Sequence, residues 1–282
     1  MSSPLPKVDI EKALHAKLGN HYVPKTLVWL LRKIVHEDRL NEILAPIRNT
    51  FNFEFMDGMI RELDISFDLH IEDESIWQQK RLLFASTHPL GGLDGIILAS
   101  VIGRHYNENI KLIVNDILMN ITNLQDIFVP VNKTGNQTQS RESMERIAEL
   151  YNSDFGIVNF PSGKCARKEH GQITEQPWMH SFIIKCKRTG RDIVPIYFDG
   201  HNSSFFYNLA LWRKRLHIPL NIEMLFLPHE MVRAEHSHYD IYIGKPIPYT
   251  TFDKSKTFQQ WAEWLRQETL KLKPNVSANL GK

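Results

Sequence analysis

His88 and Asp94 stand six positions apart in the run His-Pro-Leu-Gly-Gly-Leu-Asp-Gly (88–95), directly after the apolar stretch Leu82-Leu83-Phe84-Ala85. An imidazole, with its ordinary pKa of ~6.5, accepts a proton readily near neutrality. When a carboxylate fixes one ring nitrogen as a donor, the other nitrogen is left as a base. Glycines between the two let the backbone turn sharply enough for the ring to fold back on the carboxylate. No G-x-S-x-G elbow occurs in the chain, so the pair has no serine nucleophile to activate. It points instead to deprotonation of a substrate hydroxyl, and the alternative is a plain turn with two polar residues. The glycines fit neither a dinucleotide fingerprint nor, at Pro161-Ser162-Gly163-Lys164-Cys165-Ala166, a P-loop.

A pair like this must be held by regular elements, and the pattern around it is α/β. Strand candidates fall at 82–86, 111–114, 127–131, 155–159, 192–198, 221–226 and 239–243, with helix candidates at 94–106, 139–152 and 177–188. Alternation of this kind predicts a mostly parallel sheet of about seven strands flanked by helices. The bend then joins a strand ending near Ser86 to a helix capped by Asp94, at the carboxyl end of the sheet where such folds bind ligands. Residues 1–75 read as an N-terminal helical annex to the α/β domain at 76–282, and a last helix covers 258–272.

Composition narrows the function. The 282 residues carry 34 basic and 32 acidic side chains, a near-neutral balance that argues against a nucleic-acid binder. Two cysteines, Cys165 and Cys186, make neither a disulfide framework nor a zinc site. His229, His236 and His238 match no common zinc spacing, because Arg233 stands where H-E-x-x-H needs its second histidine. No metal site is expected. Cys165 reads as a small packing residue rather than a nucleophile, and His201 as a turn residue or a neighbour of the site.

No apolar run approaches the ~18 residues of a spanning helix, and the first residues have no apolar core of a secretory signal. The default location is the cytoplasmic side of a membrane, held peripherally. Apolar residues 27, 30, 31 and 34, with Lys25, Arg32, Lys33 and Arg39 among them, fit an interfacial helix or an ordinary surface helix. The segment 203–218 sets Phe205, Phe206, Tyr207 and Trp212 beside Arg213, Lys214 and Arg215, which suits an anionic lipid surface or a core-packed helix with a basic end.

Three further segments follow the bend in order: 129–147, 158–173 (Val-Asn-Phe-Pro-Ser-Gly-Lys-Cys-Ala-Arg-Lys…) and 192–207 (Asp-Ile-Val-Pro-Ile-Tyr-Phe-Asp-Gly…). With 88–95 they make the chain resemble the glycerolipid (lysophosphatidate-type) acyltransferases over about residues 5–250. The nearer likeness is to the hemolysin-like bacterial branch, which includes O-acyltransferases of glycine and ornithine lipids. The resemblance implies His88 as base and Asp94 as its orienting partner, although five residues separate them here and four in the usual family pattern. It implies Lys133 and Arg141 as contacts to the acceptor head group.

The family's F-P-E-G-T-R is represented by Phe160-Pro161-Ser162-Gly163-Lys164, without the glutamate and its arginine, and Arg167 and Lys168 would supply the charge instead. Pro195 would shape the acyl pocket. The implied reaction moves a fatty acyl group from acyl carrier protein or coenzyme A to the hydroxyl of a lyso-lipid. No bound cofactor or metal and no acyl-enzyme is needed, and backbone N–H groups of the bend or of the Phe160 block stabilise the oxyanion. The missing glutamate fits a lyso-amino-acid lipid as acceptor. Lysophosphatidate is the alternative, then a non-catalytic lipid-binding protein, and last a hydrolase.

Overall fold

The computed structural model describes residues 7–18, 24–131, 141–218 and 221–274. Four helices come first: α1 (Ile10–Leu18), α2 (Lys25–Val35), α3 (Glu37–Leu44) and α4 (Asn52–Glu62). They lead into β1 (Ser66–Ile71), β2 (Leu83–Ser86), α5 (Leu93–His105), β3 (Ile110–Asn115), β4 (Phe128–Val131), α6 (Arg141–Asn152) and β5 (Gly156–Asn159). A short hairpin of β6 (Arg167–Glu169) and β7 (Gln172–Thr174) precedes α7 (Ser181–Thr189), β8 (Ile193–Asp199) and α8 (Ser204–Arg215). The chain continues through α9 (Leu227–Arg233) and β9 (His238–Ile243) to α10 (Phe258–Lys271).

Seven strands form one sheet in the order β1-β9-β8-β2-β5-β3-β4, all neighbours parallel except β8 and β9. β2 and β5 are buried along their whole length, as strands covered on both faces must be. Successive side chains enter opposite layers. Phe84 joins Met56 and Ile97 on the side of α4 and α5, while Leu83 and Ala85 join Trp178, Ile183 and Leu265 on the side of α6, α7 and α10. α5 is apolar nearly all round and is buried from Leu93 to Gly103, apart from half-buried Ile96. α4 crosses it closely: a Cβ on Gly103 would sit 1.8 Å from the Phe53 ring.

Two expectations need correction. Residues 221–226 are a 3-10 turn (Ile222–Phe226), not a strand, because Glu223 is drawn inside to bind Arg167 and Arg213. The seventh strand is β1 instead, which lies within the expected annex and pairs with β9, so the helical region ends at Glu62 rather than at residue 75. Phe67, Leu69 and Ile71 pack on the core while Ser66, Asp68 and His70 face outward, a period-2 pattern on an edge strand.

Candidate functional site

The bend leaves the carboxyl end of β2, next to the loop that leaves β5, and both open into one cavity of about 1090 Å³. Gly91 carries a φ of +82°, and a Cβ there would stand 3.1 Å from Leu227 and 3.2 Å from the Cβ of Cys165. The turn therefore needs glycine for its backbone and for its space. Beyond it the cap position of α5 is Gly92, and Asp94 is the second residue of the helix rather than its cap.

The Asp94 side chain is fully buried. Its Oδ2 faces His88 Nδ1 at 2.9 Å and accepts the N–H of Leu90 at 2.9 Å and of Gly91 at 3.4 Å. Its Oδ1 accepts the N–H groups of Gly92 and Gly95, both at 3.0 Å. Burial pushes this carboxyl upward, but the His88 ring and the backbone donors outweigh it and hold the pKa below the usual carboxylate range. An ionised Asp94 keeps the proton of His88 on Nδ1 and leaves Nε2 as the acceptor. The ring stacks on Phe160 at 4.2 Å between centroids and lines the cavity.

The backbone of the bend is pinned as well. Ala166 N–H donates to the carbonyl of His88 at 2.9 Å, and Asn202 Nδ2 donates to that of Pro89 at 3.3 Å. His88 N–H donates to Glu175 Oε2 at 3.1 Å, and Glu175 Oε1 accepts from Trp178 Nε1 at 3.0 Å. Burial raises the Glu175 carboxyl above its ordinary value. Neither Glu175 nor Asn202 is foreseeable from spacing, since both lie far along the chain from the bend. Asp94 takes the amides of Leu90, Gly91, Gly92 and Gly95, Glu175 takes that of His88, and the carbonyls of Phe160 and His88 take those of Gly163 and Ala166.

The expected head-group residues separate into three sets. Lys133 lies outside the described residues. Arg141 is exposed at the start of α6 and paired with Glu145, while Lys168 is half-buried on the small hairpin; neither lines the cavity. Arg167 is buried away from the cavity, donating to Cys165 Sγ at 2.7 Å and to Glu223 Oε1 at 3.3 Å, so its charge serves the interior. Phe160, Gly163 and Lys164 do line the cavity. Pro161 and Ser162 shape the loop behind them, the Pro161 carbonyl accepting Met179 N–H and the Ser162 hydroxyl donating to the Lys164 carbonyl.

Pro195 does not line the cavity: it sits inside β8 opposite Ala85, and its carbonyl accepts Gly244 N–H. The apolar wall is made instead by Ile96, Leu112, Val114, Leu118 and Phe128, from α5, β3, β4 and the segment between the two strands. Cys165 lines the cavity but is buried, and burial raises its thiol pKa, which makes it a poor nucleophile. Exposed His201 also reaches the lining, and so does exposed Arg233, which sequence reasoning missed. Among the described residues Lys164 and Arg233 are the Lys and Arg side chains that line this cavity.

A second surface flanks the cavity. Leu27, Trp29 and Leu30 of α2, Phe205 and Trp212 of α8, and Leu216 just after α8 are exposed apolar side chains, with Trp29 at 61% and Leu216 at 62%. Both helices touch the 3-10 turn whose Met224 and Leu225 are themselves exposed and line the cavity. Among the described residues no helix is long and apolar enough to cross a membrane.

Residues 7–279 match the sequence profile of the family described as acyltransferase. The chain is 41% identical over 267 residues to the lyso-glycine lipid O-acyltransferase of Phocaeicola vulgatus, covering 94% of this chain and 95% of that protein. It is 40% identical over 267 residues to the protein of the same name from Bacteroides thetaiotaomicron, covering 94% and 97%. A solved structure, the 1-acyl-sn-glycerophosphate acyltransferase of Thermotoga maritima, aligns with 92% of this chain and 99% of that one, at 12% identity and a TM-score of 0.43.

Proposed function

The chain belongs to the acyltransferase family, and from that membership we propose that it transfers a fatty acyl group from a thioester to the hydroxyl of a lyso-glycine lipid. The observation that carries this reading is the His88–Asp94 pair, 2.9 Å apart, facing a cavity with an apolar wall and two cations. In the proposed step His88 Nε2 takes the acceptor's hydroxyl proton as its oxygen bonds to the thioester carbon. The tetrahedral intermediate then collapses, the C–S bond breaks, and the imidazolium returns the proton to the leaving thiolate. Asp94 holds the ring in the working tautomer and stabilises its charged form. Glu175 positions the same residue through its backbone.

Ile96, Leu112, Val114 and Phe128 would receive an acyl chain, and Lys164 and Arg233 would hold the carboxylate of the glycine head group. The donor is acyl carrier protein or coenzyme A. The test is an assay of the purified chain with either thioester and with lyso-glycine lipid or lysophosphatidate, read by mass spectrometry. Diacylated glycine lipid is the expected product. In Lys164→Ala and Arg233→Ala the KM for that acceptor rises about tenfold each, the loss of a charge-assisted hydrogen bond of roughly 1.5 kcal/mol. Equal turnover of lysophosphatidate, or an unchanged KM in both variants, refutes the carboxylate assignment.

The apolar surface of α2 and α8 would lie on the membrane that holds the lipid, with exposed Lys33, Lys214 and Arg215 toward anionic head groups. Sedimentation with vesicles of anionic lipid checks this. The wild type co-sediments, and the double variant Trp29→Ser/Trp212→Ser loses most of that binding; equal sedimentation of the two removes the membrane face from the reading.

A further inference from the structure

β1 and β9 run side by side with Ser66 opposite His238 and Asp68 opposite Asp240. The pairing puts Asp68, His238 and Asp240 on one outward face, where one ligand-type atom from each lies within 4.8 Å of the others. We propose that these three side chains form a binding site for a divalent transition-metal ion of the zinc class.

The donor set is one imidazole and two carboxylates, nitrogen and oxygen ligands that zinc accepts in three-residue sites with an open fourth position. Two donors of a tetrahedral zinc lie roughly 3.3 Å apart, given metal–ligand bonds of about 2.0–2.2 Å. His238 Nε2 and Asp68 Oδ2 are already 3.5 Å apart. Two of the three ligands, His238 and Asp240, are also held from behind, as metal-binding side chains commonly are. Ser66 Oγ is 2.9 Å from His238 Nδ1, which leaves Nε2 directed at Asp68. His70 Nε2 is 2.7 Å from Asp240 Oδ1, and its ring stacks on Tyr242 at 4.5 Å.

Two carboxylates directly opposite on adjacent strands repel, and a dication between them removes that cost. All three side chains are at least partly exposed, so an ion reaches them from solvent and they adjust to it. His238 and Asp240 also line the cavity that holds His88, so the ion adds positive charge to that wall. The site is invisible to sequence spacing because Asp68 comes from a strand far from the other two.

The test is calorimetric titration of Zn²⁺ into the full-length chain without a histidine tag, after chelator treatment, with Mg²⁺ as the contrast ion. The expected result is one equivalent of Zn²⁺ at micromolar affinity and none of Mg²⁺. Ser66→Ala should weaken Zn²⁺ binding roughly tenfold, as loss of an outer partner does, and His238→Ala and Asp68→Asn by more. His236→Ala removes an exposed histidine paired with Asp64, at 2.8 Å, and should leave binding unchanged. Circular dichroism checks that the variants fold, and Ser66→Ala tests the site without touching a ligand. Binding no tighter than millimolar in the wild type, or equal binding in His238→Ala and Asp68→Asn, overturns the proposal.

Discussion

Replacing His88 by alanine lowers turnover roughly 10²–10⁴-fold, the usual contribution of a positioned general base, and leaves the protein folded. The two halves of this expectation come from different atoms. Asp94 retains all its backbone donors when the ring is gone, and the ring's main packing partner is Phe160. The bend therefore persists without the base. In the proposed step His88 would act on the hydroxyl as it attacks, so kcat and kcat/KM are expected to fall together while the acceptor still binds. Single-turnover rates of wild type and His88→Ala with lyso-glycine lipid measure this directly. A variant within threefold of wild type would assign proton removal to another group.

The second expectation concerns stability. Asp94→Ala strands backbone N–H groups in the interior together with the His88 ring, and an unpaired buried donor costs roughly 1–3 kcal/mol. A total loss of about 3–5 kcal/mol is expected, as for breaking a buried charge pair, against the 5–15 kcal/mol typical of a whole domain. The urea midpoint of the variant reports it. A pH dependence follows from the depressed pKa of Asp94. A carboxylate held below its unfolded value of ~3.9 contributes its full stabilisation above that pH. The contribution disappears as the pH falls through the lower, folded value. The gap in stability between wild type and Asp94→Asn should therefore be widest near neutrality and should narrow below pH ~4. A gap that stays constant down to acid unfolding would mean that Asp94 is not ionised in the folded protein.

The sequence reveals parts of the site in proportion to how local they are. His88 and Asp94 share one bend, and Phe160 through Lys164 share one loop, so residue type and spacing single them out as candidates. Glu175 and Asn202 hold that bend from loops far along the chain, and a glutamate in Thr174-Glu175-Gln176-Pro177-Trp178 carries no local signal of burial. Arg167 shows the reverse case: a basic residue beside the right motif reads as a ligand contact until Glu223 is seen to claim it.

Similar reasoning applies to the strands. Residues 66–71 carry the period-2 alternation of an edge strand, a signal present but outweighed by the helices before it. Residues 221–226 show the same alternation, with Glu223 between Ile222 and Met224. There the burial of one ion pair network decides the conformation, which periodicity does not register.

The β1–β9 pairing also bears on the order in which this chain can fold. It joins Ser66 to His238, 172 residues apart, and β9 is in turn the link between β1 and the rest of the sheet. Such non-local parallel pairing forms slowly, because a long loop must close before any contact rewards it. During synthesis β1 would leave the ribosome long before its partner exists, with Phe67, Leu69 and Ile71 uncovered. Until residue 243 has emerged, β1 has no strand edge to join, although α4 already has α5 to pack on. A nascent or truncated chain ending before β9 is thus an aggregation-prone species, and β1, an early strand in the chain, is the last to join the sheet.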